Sequence, residues 1–487
     1  MNRFLLLPSA LVALSAAACS SNDSGGTAPA DPFAPQADTS EGLTNVSADL
    51  MEVLEDGALH GACEAYWDAV ADGTDTRRAR LLCGKEMFFY EGFDTVGVPT
   101  VLLETNMALF PDLIGAGATG VGMIEDPTSA DGLPLGFGPG KDFAEGVPSL
   151  AFTCASCHFG QLPDGRYVMG APNHDFEYGE LNLAIAVLPT ATILQQDLDP
   201  AAEAKLAPYF QAIEDDPSIV DGLIASLAPL IGAGASIPEF SAETQAAYAG
   251  WKSGTMDFVI TPLPLDDEVH TVSKIMSLWG IADEADVAAY EMDGALLAHT
   301  GVTASVANFL EGFVILGDGD LDAWDAERLG PLDDYLHSLR APSNPEPSDA
   351  VRVAEGQQLF GTADCIDCHD GARGSSRTVF TFDEIGSDTA MMYWLDRDLD
   401  GQPCCDVDLL GRDALTHGLR AQRLTGVWSA KRLLHNGSVD SLEDLFCVNG
   451  MRPTITESPY SDRGHMFTCD GLSETEKAAL IAYLRSL

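Results

Sequence analysis

Two short stretches, "TCASCHFG" and "GTADCIDCHDG", place Cys154, Cys157 and His158, and again Cys365, Cys368 and His369, at one spacing. C-x-x-C-H is the attachment signature of c-type haem: the two thiols add across the vinyl groups and the adjacent imidazole reaches the iron. The spacing suits that chemistry because Cys, Cys and His share one short helical turn facing the porphyrin. A thioredoxin-like CxxC would need a strand and a helix around it and no obligatory His. A zinc site would want a second Cys/His pair at ligand spacing, which neither motif has nearby. Two copies in one chain point to two covalently attached haem c groups, with His158 and His369 as proximal ligands.

The second motif has the elements to hold it. "RAPSNPEPS" is a Pro-rich break, and "SDAVRVAEGQQLF" reads as an amphipathic helix entered at Ser348, in which Gly356 allows close approach of another helix. In the final "SETEKAALIAYLRSL", Ser473 and Glu476 form a capping box, and Leu480, Ile481, Leu484 and Leu487 make an apolar stripe. A helix before the motif crossing a helix at the end of the chain, with haem beside them, makes a small all-α cytochrome domain. A similar ending starts at Pro331 in "PLDDYLHSLRAP", so the boundary falls near residue 345. The expected fold is mainly α, with two cytochrome c-like haem domains. They would span residues 46–345 and 346–487, the N-terminal one enlarged by long loops and extra helices.

The chain has 487 residues, 46% hydrophobic and 21% charged, enough for two or three domains with their own cores. Its 25 Lys and Arg face 75 Asp and Glu, a formal net charge of −50. That balance excludes a nucleic-acid partner and adsorption to anionic lipid, and would steer a basic redox protein toward the surface. Asn2 and Arg3, the apolar "FLLLPSALVALSAAA" and small residues before Cys19 read as an export signal at 1–18, too short to span a membrane. Cys19 is then the expected lipidation site of a bacterial lipoprotein, although Ala16 stands where Leu is usual; ordinary cleavage after Ala18 is the alternative. Residues 19–45, rich in Ser, Gly, Pro and Ala, read as a flexible tether. The expected location is the periplasm or the outer membrane, with membrane contact only through the N-terminal lipid.

Beyond Cys19 and the two motifs, six of the 11 cysteines remain: Cys63, Cys83, Cys404, Cys405, Cys447 and Cys469. An even number in an exported chain suggests disulfides, and sequence does not choose the pairing. The local pair Cys63–Cys83 is favoured, with Cys404 and Cys405 bridging to Cys447 and Cys469. "LDRDLDGQPC" offers Asp396, Asp398 and Asp400 before Gly401, the start of a calcium-loop pattern without its twelfth-position Glu. Calcium is therefore a minor expectation beside solvated turns.

From about residue 85 onward the chain resembles the di-haem c-type cytochromes that include bacterial cytochrome c peroxidases and rubber oxygenases. "GLPLGF" before the first motif, "GAPNHDF" after it, "SLWG" and "MDGALLAHTG" are similar to segments around that family's first haem and its cavity. "LTGVWSAKRLLHNGSVDSLEDLF" and the C-terminal "RGHMFTCDGLSETEKAALIAYLRSL" are the more recognisable stretches. Lys431, Arg432 and Leu433 depart from the Ala-Pro-Tyr commonly found there, and the extra C-terminal cysteines are not expected of the family. Rubber oxygenases are longer chains, so their polymer substrate is not carried over.

The resemblance places a sixth ligand for the second haem at His465, with Met466 next and His435 and Met451 as further candidates. His435 more naturally bonds a haem propionate or the domain interface. At the first haem the distal candidates are His174, which its Pro-Asn turn makes structural, and His299, in a segment similar to the distal cavity wall. His299 could move a proton during peroxide cleavage; its other reading is a buried histidine bonded to backbone. Two function classes follow. In one, an oxidoreductase, the first haem reacts with peroxide or dioxygen and the second transfers electrons, with a small redox protein or small-molecule oxidant as partner. In the other, both irons are six-coordinate and the protein is an electron carrier.

Overall fold

The computed structural model describes residues 33, 36–235, 239–257, 263–264, 271–292, 297–301, 303, 305–346, 348–390, 418–457 and 459–487. Cys19, Cys404, Cys405 and the Asp396–Gly401 loop lie outside them.

The architecture is mostly helical, with strands of two to four residues. Thr76 accepts a hydrogen bond from the Ala79 N–H and starts helix Arg77–Tyr90. This helix packs on Ala326–Ser338, which Asp325 starts by accepting from the Arg328 N–H. Where they cross, Gly84 meets backbone: a Cβ there would lie 2.1 Å from the Pro331 carbonyl oxygen and 2.6 Å from Tyr335 Cβ. Phe88, one turn on, sits edge-on to Tyr335 at 6.0 Å. The pair is the middle of one apolar core, and a second core gathers around Phe110, Phe152, Tyr178, Leu206 and Tyr248.

The C-terminal half repeats the crossing. Helix Ala350–Thr362 packs against Glu474–Leu484, and a Cβ on Gly356 would lie 2.1 Å from the Ala479 carbonyl oxygen and 2.7 Å from Tyr483 Cβ. Phe360 sits edge-on to Tyr483 at 5.6 Å. Leu480, Ile481 and Leu484 are buried in this third core, and the Ser473–Glu476 capping box is formed. Between the crossings, residues 339–349 contain no helix or strand among those described.

Two small antiparallel sheets carry the first motif. Ser149–Phe152 pairs with Val98–Pro99 on one side and Phe137–Pro139 on the other, with Phe137 opposite Phe152. Helix Cys154–His158 follows, and the chain leaves in Phe159–Gln161, paired with Tyr167–Met169, which also pairs with Val46–Ser47. A separate hairpin, Thr255–Asp257 with Val272–Lys274, stands beside them.

Four expectations are corrected. The helix after the Pro-rich break is capped by Asp349, whose carboxylate accepts from the Val351 and Arg352 N–H groups, so it is entered one residue beyond Ser348. The helix expected to start at Pro331 begins at Ala326, because Asp325 caps it and Pro331 forgoes only the bond to the Glu327 carbonyl. Cys63 pairs with Cys83 as expected, but Cys447 pairs with Cys469 rather than with Cys404 or Cys405. Arg452 and Thr468 both donate to the Leu445 carbonyl, at 2.9 and 2.7 Å, which closes that loop and sets the two cysteines side by side. Finally, the described part of the 19–45 segment is bonded rather than free. Phe33 packs edge-on against Phe360 and Tyr483, Arg340 donates to the Ala37 carbonyl, and buried Lys85 donates to the Thr44 carbonyl at 2.7 Å.

Candidate functional site

At the first motif, Gly136 of "GLPLGF" takes φ +99°, and a Cβ on it would lie 2.4 Å from the Ser156 backbone nitrogen. Only glycine meets both demands, so the strand can press on the motif helix. Thr153 N–H donates to the Gly136 carbonyl at 2.9 Å, and the His158 carbonyl accepts from Gly170 at 2.8 Å. His158 Nδ1 lies 2.9 Å from the Met276 carbonyl, which fixes its proton on Nδ1 and leaves Nε2 as the basic nitrogen. Desolvation lowers its pKa to about 4, so the ring is neutral at neutral pH.

The second motif repeats this arrangement with a different loop. His369 Nδ1 donates to the Gly374 carbonyl, and desolvation lowers its pKa. Gly374 has φ +72°, with the Phe33 ring and Leu424 directly against it. The Phe360 ring stands 6.0 Å from that of His369. The motif cysteines remain thiols. Burial pushes Cys154 and Cys157 up to about 12, and raises Cys365, the opposite of what a redox-active CxxC needs.

The candidate distal residues separate in space. His465 takes a left-handed backbone at φ +56°, its ring packs 4.3 Å from Phe467, and its buried Nδ1 has no hydrogen-bond partner among the described residues. Desolvation lowers its pKa to about 3, with the charge of His369 next among the causes. Met466 is half-buried beside it, while Met451 is 59% exposed. His435 is elsewhere: its carbonyl accepts from the Lys274 N–H at 2.8 Å, and its ring is 6.5 Å from His299. His299 is buried, with Nε2 3.4 Å from the Lys274 carbonyl. Desolvation, with the charge of Lys274 next, holds it well below its ordinary pKa. Both histidines thus meet at the contact between the two halves.

That contact encloses a narrow cavity of about 60 Å³, lined among others by His174, Lys274, Met276, Trp279, Arg423 and Arg432. Trp279 is fully buried and donates to the Met169 carbonyl at 2.8 Å. Gly170 and Gly426, one from each half, both press on its indole. Arg423 donates to the Trp279 and Ser277 carbonyls at 3.0 and 2.8 Å, so a C-terminal side chain holds the loop that carries the His158 anchor. Desolvation, joined by the charge of Arg423, lowers Lys274 to about 8. Lys431 and Arg432, where the sequence departs from the family pattern, tie the halves together: the Lys431 N–H donates to His174 Nε2 at 3.2 Å, and Arg432 to the Ser253 carbonyl at 2.8 Å.

Sequence reading missed the carbonyls of Met276 and Gly374, which no side-chain pattern can mark. It also missed Lys274 and Arg423, whose only signal was that basic residues are scarce in this chain. Among the described residues, no group of three or more His, Cys, Asp or Glu side chains is placed to hold a metal ion. No family model and no curated protein matches the chain. Among solved structures it is similar to a MauG-like protein associated with microbial copper homeostasis, at 22% identity and a TM-score of 0.22. The match covers 35% of this chain and 60% of that one, a superposition too slight to define a shared fold.

Proposed function

We propose that this chain is a di-haem c-type cytochrome with two cytochrome c-like haem domains, acting as an oxidoreductase on peroxide or dioxygen. One observation carries the reading. Each CxxCH histidine has its Nδ1 tied to a backbone carbonyl, Met276 or Gly374, so Nε2 is offered as a neutral ligand beside two cysteines outside any disulfide. Haem held there would supply one-electron chemistry and, at an iron with an open position, binding of a small oxidant.

The chain's own residues then divide the work. Cys154, Cys157, Cys365 and Cys368 would form the thioether links, and His158 and His369 the proximal bonds. His465, whose buried Nδ1 has no partner among the described residues, would be a second imidazole ligand for the group held at His369. His299, held by its Nε2 on the Lys274 carbonyl, is the proposed proton carrier for the first site, and would have to release that bond to act. Reduction of peroxide to two waters consumes two electrons and two protons, the electrons coming from a small redox protein by way of the second site.

The test is to produce the exported form with a c-type maturation system and measure covalent haem by mass and by absorbance. The expected result is two haems, with one lost in Cys154→Ser/Cys157→Ser and the other in Cys365→Ser/Cys368→Ser. A parent chain carrying no covalent haem would end the proposal. Ferric EPR then separates the classes: one high-spin signal beside one low-spin signal supports the enzyme, whereas two low-spin signals support the carrier unless half-reduction opens a site.

A further inference from the structure

The cavity between the halves has a composition at odds with the chain around it. Among the described residues no carboxylate lines it, although Asp and Glu, 75 in all, outnumber the 25 Lys and Arg three to one. Many cations elsewhere find acids: Lys85 meets Glu55, Lys205 meets Glu177 and Glu180, and Arg485 meets Glu443, although Arg340 and Arg452 bond backbone carbonyls. Even Arg432, at the edge of the cavity, pairs with Asp440. Lys274 and Arg423 have no carboxylate partner among the described residues, and Arg423 is satisfied by backbone alone. Two like charges facing one desolvated space cost free energy unless an anion joins them.

A third group has the same polarity. His174 also lines the cavity, and its Nε2 accepts from the Lys431 N–H, so the neutral ring carries its proton on Nδ1. That Nδ1 is buried and makes no well-formed hydrogen bond, with the Ser429 carbonyl within its reach. Three donors converge on one space that no described acidic side chain lines. The space adjoins the first motif: Lys274 is two residues before Met276, whose carbonyl holds His158, and Arg423 grips Ser277 and Trp279.

We propose that Lys274, Arg423 and the His174 Nδ1–H form the seat for the carboxylates of the porphyrin attached at Cys154 and Cys157. Lys274 and His174 come from the N-terminal half and Arg423 from the C-terminal half, so the propionates clasp the two together. The inference rests on the di-haem reading. These are positioning residues, and they act on the potential of the first haem, because nearby cations favour the reduced, more negative state.

The experiment is a redox titration of the holoprotein and of Lys274→Met, Arg423→Met and the double variant, followed by optical and EPR signals of each haem. Expected are two haems still attached by mass, a lower midpoint potential for the first haem in each variant, the largest shift in the double, and an unchanged second haem. Lys274→Arg should restore the parental value. Where a Met variant fails to fold, Lys274→Gln and Arg423→Lys carry the same test. An unmoved first potential, or equal shifts at both haems, overturns the inference. So does a parental first potential that moves on adding inorganic phosphate while the variants ignore it, because the seat would then serve a free anion. A parent with no covalent haem fails the earlier proposal instead, and the two failures are distinguishable.

Discussion

The two halves of the molecule are built on the same crossing and spend it differently. Gly84 against Pro331 and Tyr335, with Phe88 beyond, matches Gly356 against Ala479 and Tyr483, with Phe360 beyond, down to the 2.1 Å approach to a backbone carbonyl. In the C-terminal half, Cys365 follows the end of its helix at Thr362 almost at once. In the N-terminal half, residues 91–153 intervene between Tyr90 and Cys154, and they contribute strands and part of a second core. The inserted structure buries Cys157, whereas Cys154, like Cys365 and Cys368, stays half-buried. One helix pair can therefore anchor two sites of different depth, because the crossing sets the scaffold and the loops set the access.

The sharpest way to break the comparison is to overfill both crossings. Gly84→Ala and Gly356→Ala each force a methyl into a backbone carbonyl, and each should cost about 3 kcal/mol in urea unfolding. A near-neutral result at one of them would show that the two crossings are not equivalent. The disulfides come next. Cys63–Cys83 and Cys447–Cys469 close loops of similar length, with separations of 20 and 22, so replacing either pair with Ala should cost about 2–3 kcal/mol, one loss falling on each half.

Acid should act on the contact between the halves. His174 and His435 are lowered from 6.5 to about 3 and about 4, chiefly by desolvation, so between pH 6.5 and those values the unfolded chain binds protons that the folded one does not. Stability is complete well above pH 6.5 and falls as pH drops through that window, by about 2 kcal/mol per histidine by pH 5. His174→Gln should flatten the slope measured by thermal unfolding. The smallest effect concerns Phe33, which packs on Phe360 and Tyr483 of the C-terminal crossing and against Gly374. Phe33→Ala should lower stability by about 1 kcal/mol and leave the Gly84 crossing untouched, as hydrogen exchange would report.

What could be read in advance depended on distance along the chain. The C-terminal crossing was legible because the capping box, the apolar stripe and Gly356 lie in segments flanking the second motif. Its N-terminal counterpart was only half legible. Ala326–Ser338 showed as an ending, but its partner Arg77–Tyr90 lies so far ahead of Cys154 that no local pattern links them, although "GKEMFF" and "GQQLF" share the Gly and the Phe one turn later. The pairing of Cys447 with Cys469 depends on Arg452 and Thr468 reaching one carbonyl, a long-range contact without periodicity. Lys274 and Arg423 acquire meaning only once the fold gathers them on a wall that no described acid shares.

The N-terminal crossing also imposes an order in time. Helix Arg77–Tyr90 packs early on Ala62–Asp72, to which Cys63–Cys83 ties it, but its face at Gly84 stays uncovered until Ala326–Ser338 has been made. Synthesis at about 5–20 residues per second leaves roughly 10–30 s between His158 and Ala326. During that interval the first motif belongs to an unclosed chain, open to whatever enzyme works on its thiols. The long stretch between the first motif and Ala326–Ser338 thus delays the closing of the N-terminal half.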